Sequence, residues 1–242
     1  MWKGQSLTVR LSLYAALLLV VQPLAGCAND GGSTDSAVDR NVEDEADTAT
    51  ASQADYDHLI VAFGDSLYAG YGLNQDEGFA PELENALRDS GLSVRVVNAG
   101  VSGDTTAAGR QRLAFTLDGL DAKPDLVIVG LGGNDMLRGI SPDQTRANLA
   151  AILEDLDSRD IGAMLTGMVA APNLGQDYGS EFNPIYPDLA EQFDVPLYPF
   201  FLDGVIQQPG LMLPDGIHPN ANGIDAIVAR VEPLVGSEIA RR

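Results

Sequence analysis

The chain has 242 residues, with 35 Asp or Glu against 14 Lys or Arg and a formal charge of −21. That length holds one domain of ordinary size plus extensions. With Lys3 and Lys123 its only lysines, the chain lacks the basic patches that phosphate binding needs, which argues against nucleic acid as a partner.

Residues 1–26 read as a signal peptide. Lys3 and Arg10 precede an apolar run over 11–21, which is too short to span a bilayer comfortably. Leu24-Ala25-Gly26-Cys27 follows and resembles the lipobox of bacterial lipoproteins, where cleavage falls before the cysteine and the new N-terminus is acylated. Cys27 is the only cysteine, so no internal disulfide can form. It is the expected lipidation site and would attach the protein to a membrane. An ordinary secretory signal with a chance cysteine is the alternative. Ala28, rather than Asp, follows the cysteine. In Gram-negative lipoproteins of this kind that implies the outer membrane, facing the periplasm.

Residues 27–55 are expected to form an acidic, disordered tether. Eight acids stand there against Arg40, with no aromatic residue. Such a segment cannot bury enough surface to offset its ordering entropy. With the tether's −7 and the signal's +2 set aside, residues 56–242 carry −16. An acid-rich, lysine-poor surface fits a salty habitat, where repulsion is screened, and equally a merely acidic exported protein.

From residue 56 onward strand and helix patterns alternate, which is the mark of α/β architecture. The first strand spans 58–63 and ends in the turn Gly64-Asp65-Ser66. A helix follows over 79–89, with Leu83, Ala86 and Leu87 at helical spacing and Gly91 just past its end. The second strand spans 93–97, a loop 98–104 and a helix 105–117. The third strand, 125–131, carries the unbroken apolar run Leu126-Val127-Ile128-Val129 of a strand buried on both faces. It stops at Gly132-Gly133-Asn134-Asp135. Ser141, Pro142 and Gln144 mark the start of a long helix whose stripe is Leu149, Ile152, Leu153 and Leu156. The fourth strand spans 161–169, and 170–183 reads as a long Gly-, Pro- and Asn-rich loop. A helix over 185–193, a fifth strand over 195–200, a loop over 215–219 and a closing helix over 220–235 complete the chain. The expected fold is a three-layer α/β/α, flavodoxin-like sandwich on a five-stranded parallel sheet, with 2-1-3-4-5 the natural strand order.

The carboxyl edge of such a sheet is where ligands bind. Loops after the first three strands bring Ser66, Gly103 and Asn134 to that edge, and the last loop carries Asp215 and His218. Ser66, at a sharp strand-to-helix turn, is the candidate nucleophile, although Gly-Asp-Ser is also ordinary turn chemistry. Asp65 reads as a turn-stabilising residue. Of the two histidines, His58 sits at the opposite edge, where no chemistry is expected. His218 has a carboxylate three positions earlier, although a surface histidine beside a turn-forming Asp has the same pattern. The Asn134 amide is expected to face a solvent-filled site, with a loop-capping role as the alternative.

Gly64-Asp65-Ser66-Leu67, Ser102-Gly103-Asp104, Gly132-Gly133-Asn134-Asp135 and Asp215-Gly216-Ile217-His218-Pro219 occur in order. Together they resemble the SGNH/GDSL hydrolase superfamily and, within it, the bacterial thioesterase I, lysophospholipase and arylesterase family. Ala171-Pro172-Asn173-Leu174-Gly175, the run from Ile185 to Ala190 and the run from Phe193 to Leu197 support that subfamily. The resemblance spans about residues 59–234. It implies Ser66 as nucleophile, His218 as general base and Asp215 as the group that orients it. It also implies an oxyanion hole made of the Ser66 and Gly103 backbone N–H groups and the Asn134 side-chain amide. Met136, Leu137, Ile140, Pro172 and Asn173 lie in the two loops that would border an acyl pocket; ordinary packing explains their apolar members equally well.

The implied activity is a serine esterase acting on acyl or aryl esters, thioesters or lysophospholipids through an acyl-enzyme. No metal or other cofactor is implied, and the partner is a small-molecule ester or lipid. A carbohydrate O-deacetylase and a non-catalytic binding lipoprotein on the same fold are the alternatives. There is no Gly-x-Gly-x-x-Gly, no Walker loop and no zinc-type Cys/His cluster.

Overall fold

The structure, a computed structural model, describes residues 56–242. The signal sequence over 1–26, Cys27 and the tether over 27–55 lie outside the described residues.

Five parallel strands lie in the order β2-β1-β3-β4-β5: β1 (His58–Gly64), β2 (Val94–Gly100), β3 (Leu126–Gly130), β4 (Gly162–Thr166) and β5 (Leu197–Tyr198). This is the expected order. The helices are α1 (Ser66–Ala69), α2 (Phe79–Asp89), α3 (Thr106–Asp118), α4 (Gly133–Leu137), α5 (Pro142–Ser158), α6 (Gln176–Phe182), α7 (Ile185–Phe193) and α8 (Ala221–Ile239).

Side chains alternate across a strand, so the continuous apolar runs feed two cores at once. On one face Ile60, Ala62, Leu126 and Ile128 pack with Leu83 and Leu87 of α2 and with Ile224, Ile227 and Val231 of α8. On the other, Val61, Phe63, Val127 and Val129 pack with Leu113 of α3, Leu149 and Ile152 of α5, and Ile185 and Leu189 of α7. The three layers follow from that division.

At the carboxyl edge, Gly64 lies in register with Gly100 on one side and Gly130 on the other. A Cβ at any of the three would run into α1: into Tyr68 from Gly64 and Gly130, and into Ala69 from Gly100. This row of glycines lets the helix that begins at Ser66 lie directly on the sheet. Tyr68 is buried beneath it, its hydroxyl 2.7 Å from the Thr166 hydroxyl and its ring against Phe79 and Phe201.

Several boundaries differ from the sequence expectation. β2 runs on to Gly100, because pairing with β1 carries the ladder past Val97. The stretch expected as a loop over 170–183 holds a 3-10 turn, Pro172–Leu174, and α6. There Phe182 is buried, Tyr178 stacks on it, and Asn183 Oδ1 accepts the Ala170 N–H at 2.8 Å. Tertiary contact overrides the turn-forming composition. β5 is only two residues long: past Tyr198 it is Phe201, not Phe200, whose N–H donates to the Gly167 carbonyl, at 2.9 Å, so the regular ladder ends there. α8 continues past 235 to Ile239, through Pro233, because Val235 and Ile239 are still buried against the sheet.

Candidate active site

The β1–α1 turn holds Ser66. Asp65 caps α1 by accepting the Leu67 N–H at 3.0 Å through Oδ1. Ser66 Oγ lies 2.8 Å from His218 Nε2. On the other side of the same ring, Nδ1 lies 2.7 Å from Asp215 Oδ2. Asp215 Oδ1 in turn accepts the backbone N–H groups of Ile217 and His218, at 2.9 and 3.0 Å. Those backbone donors, with the His218 side chain, hold the Asp215 carboxyl down at about 2. The loop is closed by the Leu213 N–H donating to the His218 carbonyl at 2.8 Å, and Asn220 caps α8 directly behind it. The structure thus joins Ser66, His218 and Asp215 in one hydrogen-bonded chain. His58 lies at the far end of β1, near Asp125.

Gly103 follows β2 and Asn134 lies in the first turn of α4, on loops that flank β1. The Arg138 guanidinium, at the end of α4, donates to the Gly103 carbonyl at 2.7 Å. The Asn134 amide is half-buried. It donates to the Asp104 carbonyl at 3.0 Å and lies 3.4 Å from Asp65 Oδ2. Asn134 reaches the site as expected but its amide is not free there: one N–H fixes it to the β2–α3 loop. Asp104 is held by Arg112, which also donates to the Gly64 carbonyl and covers the Phe63 ring. Asp135, fully buried, accepts from the backbone and hydroxyl of Thr106 and the hydroxyl of Thr145.

Asp65 is the acid whose environment is least favourable to charge. Burial, with Asp104 and Asp135 nearby, pushes its carboxyl up to about 6 despite the Leu67 N–H and the proximity of His218. The folded chain thus holds this proton more tightly than the unfolded chain does. The contribution of this group to stability is greatest below about pH 4 and falls as pH rises through about 6. Across that window the contribution falls by roughly 3 kcal/mol. The Tm of Asp65→Asn should accordingly gain on that of the wild type between pH 4 and 7. A constant difference across that range would show that Asp65 titrates normally.

Asp65, Ser66, Gly103, Asn134 and His218 line a cavity of about 730 Å³. Met136, Leu137 and Pro172 line it, as expected for an acyl-pocket border. Ile140 and Asn173 do not, which corrects that expectation. Ile140 turns its carbonyl to the Tyr178 hydroxyl at 3.1 Å, and Asn173 is exposed on the 3-10 turn. Phe200, Leu202 and Ile206 after β5 and Met168 after β4 also line the cavity, and none of them belongs to a motif visible in the sequence. The sequence reading also missed Tyr71, whose ring centroid lies 4.4 Å from that of His218 at a tilt of 33°. The only sequence signal for Tyr71 is its place between two glycines. Among the described residues, no group of three His, Cys, Asp or Glu side chains is placed to hold a metal ion.

Known proteins resemble this chain in sequence and fold. The profile of the GDSL-like lipase/acylhydrolase family matches residues 62–226. Esterase TesA of Pseudomonas aeruginosa is 41% identical over 176 residues, covering 73% of this chain and 87% of its own. Thioesterase 1/protease 1/lysophospholipase L1 of Escherichia coli is 40% identical over 195 residues, covering 79% and 90%. The crystal structure of AlinE4, an SGNH-hydrolase family esterase, superposes with a TM-score of 0.64 at 52% identity, covering 74% of this chain and 95% of its own. Matches of this extent take in nearly the whole described domain, and the chain belongs to the GDSL-like lipase/acylhydrolase family of SGNH hydrolases.

Proposed function

We propose that this hydrolase cleaves acyl and aryl esters and thioesters, lysophospholipids among them, through an acyl-enzyme on Ser66. The observation that carries the reading is the unbroken contact Ser66–His218–Asp215, whose Ser66 and His218 line an apolar cavity. A serine hydroxyl is a weak nucleophile until a base removes its proton. In this mechanism His218 Nε2 takes the proton as Ser66 Oγ bonds to the acyl carbon. Asp215 keeps the imidazole in the tautomer with Nδ1–H and stabilises the imidazolium. The carbonyl oxygen, now negative, accepts from the Ser66 and Gly103 backbone N–H groups and from the Asn134 N–H that otherwise makes the longer, 3.4 Å contact with Asp65 Oδ2. Collapse expels the alcohol or thiol, which leaves with the proton from His218. Water then attacks the acyl-enzyme by the same route.

The apolar cavity favours an acyl chain over a sugar, and the relatives' names include esterase, thioesterase and lysophospholipase. The test has two parts. A fluorophosphonate should label Ser66 covalently, and labelling elsewhere would overturn the assignment. Residues 56–242 should also turn over p-nitrophenyl esters of graded length, an acyl-CoA and a lysophospholipid faster than an acetylated sugar. The reverse ranking would favour the deacetylase.

We also propose that the protein is exported and held at the outer membrane through a lipid on Cys27. The support is Leu24-Ala25-Gly26-Cys27 after a short apolar run. In a Gram-negative host the full chain should incorporate labelled palmitate and partition into detergent, and Cys27→Ser should do neither. A wild-type chain recovered unlabelled and cut at another site would contradict the anchor.

A further inference from the structure

We propose that Tyr71 is a positioning residue for His218: its ring holds the imidazole in the plane that Ser66 and Asp215 need and supports the cation formed on proton transfer. This rests on the roles given above for Ser66, His218 and Asp215, and extends them to a residue outside the four motifs.

Two hydrogen bonds grip the His218 ring at opposite nitrogens. They fix the line through those nitrogens and resist rotation about it only through the weak in-plane preference of each bond. A group against the face of the ring is what prevents that rotation, and Tyr71 is placed there, 4.4 Å between centroids. Its position is built by the backbone. Gly70 and Gly72 both have positive φ, 76° and 75°, which few other residues adopt. Between them the Tyr71 N–H donates to the Ser66 carbonyl at 3.2 Å. A Cβ on Gly72 would come within 2.7 Å of the Leu213 side chain, and Leu213 is the residue whose N–H holds the His218 carbonyl. One turn therefore touches the nucleophile's own peptide on one side and the His218 loop on the other.

Burial does not explain the placement, since 52% of Tyr71 remains exposed. The chemistry does. When the Ser66 proton moves to Nε2, the ring becomes cationic, and the face of a neighbouring aromatic ring attracts that charge. Among the described residues, Asp215 bonds to His218 Nδ1 at 2.7 Å, and the Asp65 carboxyl, buried at the base of the turn, is close enough to feel the charge on His218. Tyr71 adds a neutral, aromatic support packed against the ring.

The experiment compares wild type, Tyr71→Ala and Tyr71→Phe on an acetyl ester and an octanoyl ester. Tyr71→Ala should lower kcat about tenfold on both esters, with a smaller change in KM and an unchanged Tm. Tyr71→Phe, which keeps the ring, should recover most of that kcat. Loss confined to KM on the octanoyl ester would make Tyr71 only a wall of the acyl cavity and overturn the proposal. So would a kcat drop that follows a fall in Tm, or one that Tyr71→Phe shares in full. Ser66→Ala run alongside separates the two readings. If the wild-type turnover survives in Ser66→Ala, the serine mechanism itself has failed. If it is lost there while Tyr71→Ala stays fully active, only the role of Tyr71 has.

Discussion

Ser66→Ala is expected to lower kcat by about 10⁵–10⁶ while leaving the fold intact. The side chain removed is one hydroxyl whose hydrogen-bond partner is the His218 ring. The turn that carries it does not depend on that hydroxyl: Asp65 caps α1 through the Leu67 N–H, and α1 rests on the glycine row through Tyr68 and Ala69. Stability should therefore change by no more than about 0.5 kcal/mol. The residual rate should come from the oxyanion donors and from binding, which remain in place. The measurements are steady-state kcat on a p-nitrophenyl ester and a melting curve. A variant that retained more than about a tenth of wild-type kcat would show that Ser66 forms no acyl-enzyme.

Asn134→Ala is expected to lower kcat by about 10²–10³ with a smaller change in KM. The donor is lost where negative charge develops, so the transition state suffers more than the bound ester. The structure adds a second consequence. Because the amide also donates to the Asp104 carbonyl, removing it frees a half-buried acceptor between α4 and the β2–α3 loop. A stability loss of about 1 kcal/mol should accompany the kinetic one. A stability loss of that size is too small to explain a hundredfold fall in kcat in a chain that remains folded at the assay temperature. The two readouts are therefore separable. Near-normal kcat with lowered Tm would leave Asn134 a capping residue and nothing more.

Much of this site is legible before any coordinates, and the reason is local. Ser66, Gly103, Asn134, Asp215 and His218 each sit in a short motif at the end of a strand or in a loop beside a helix start. In a parallel sheet those positions converge on one edge however far apart they lie in sequence. Strand order is less legible: 2-1-3-4-5 is the natural guess for five strands alternating with helices, but the apolar runs alone do not fix it. What stays hidden depends on contacts between distant segments. The helix at Gln176–Phe182 is held by Phe182 in the core and by Asn183 on Ala170, against a composition that favours turns. Phe200, Leu202 and Ile206, which line the cavity, follow no periodic pattern and are brought to it only by packing. Tyr71 has meaning only beside a histidine 147 positions later in the chain. Ile140 and Asn173 are misplaced from sequence because adjacency to a motif does not decide which way a side chain turns.

His218 reaches Ser66 across 152 residues, and α8 begins three positions after it. That spacing sets when activity can arise. The loop bearing the base is fixed only once α8 has docked Ile224, Ile227 and Val231 on the sheet, and α8 is synthesised after every other helix of the described residues. Contacts of such long sequence separation form late and slowly, because the intervening chain must first be ordered. A partly folded or C-terminally truncated chain would present Ser66 as an ordinary hydroxyl, inert toward esters. In a refolding experiment, return of hydrolysis should lag behind the return of secondary structure, and hydrolysis would report completion of the fold rather than its onset.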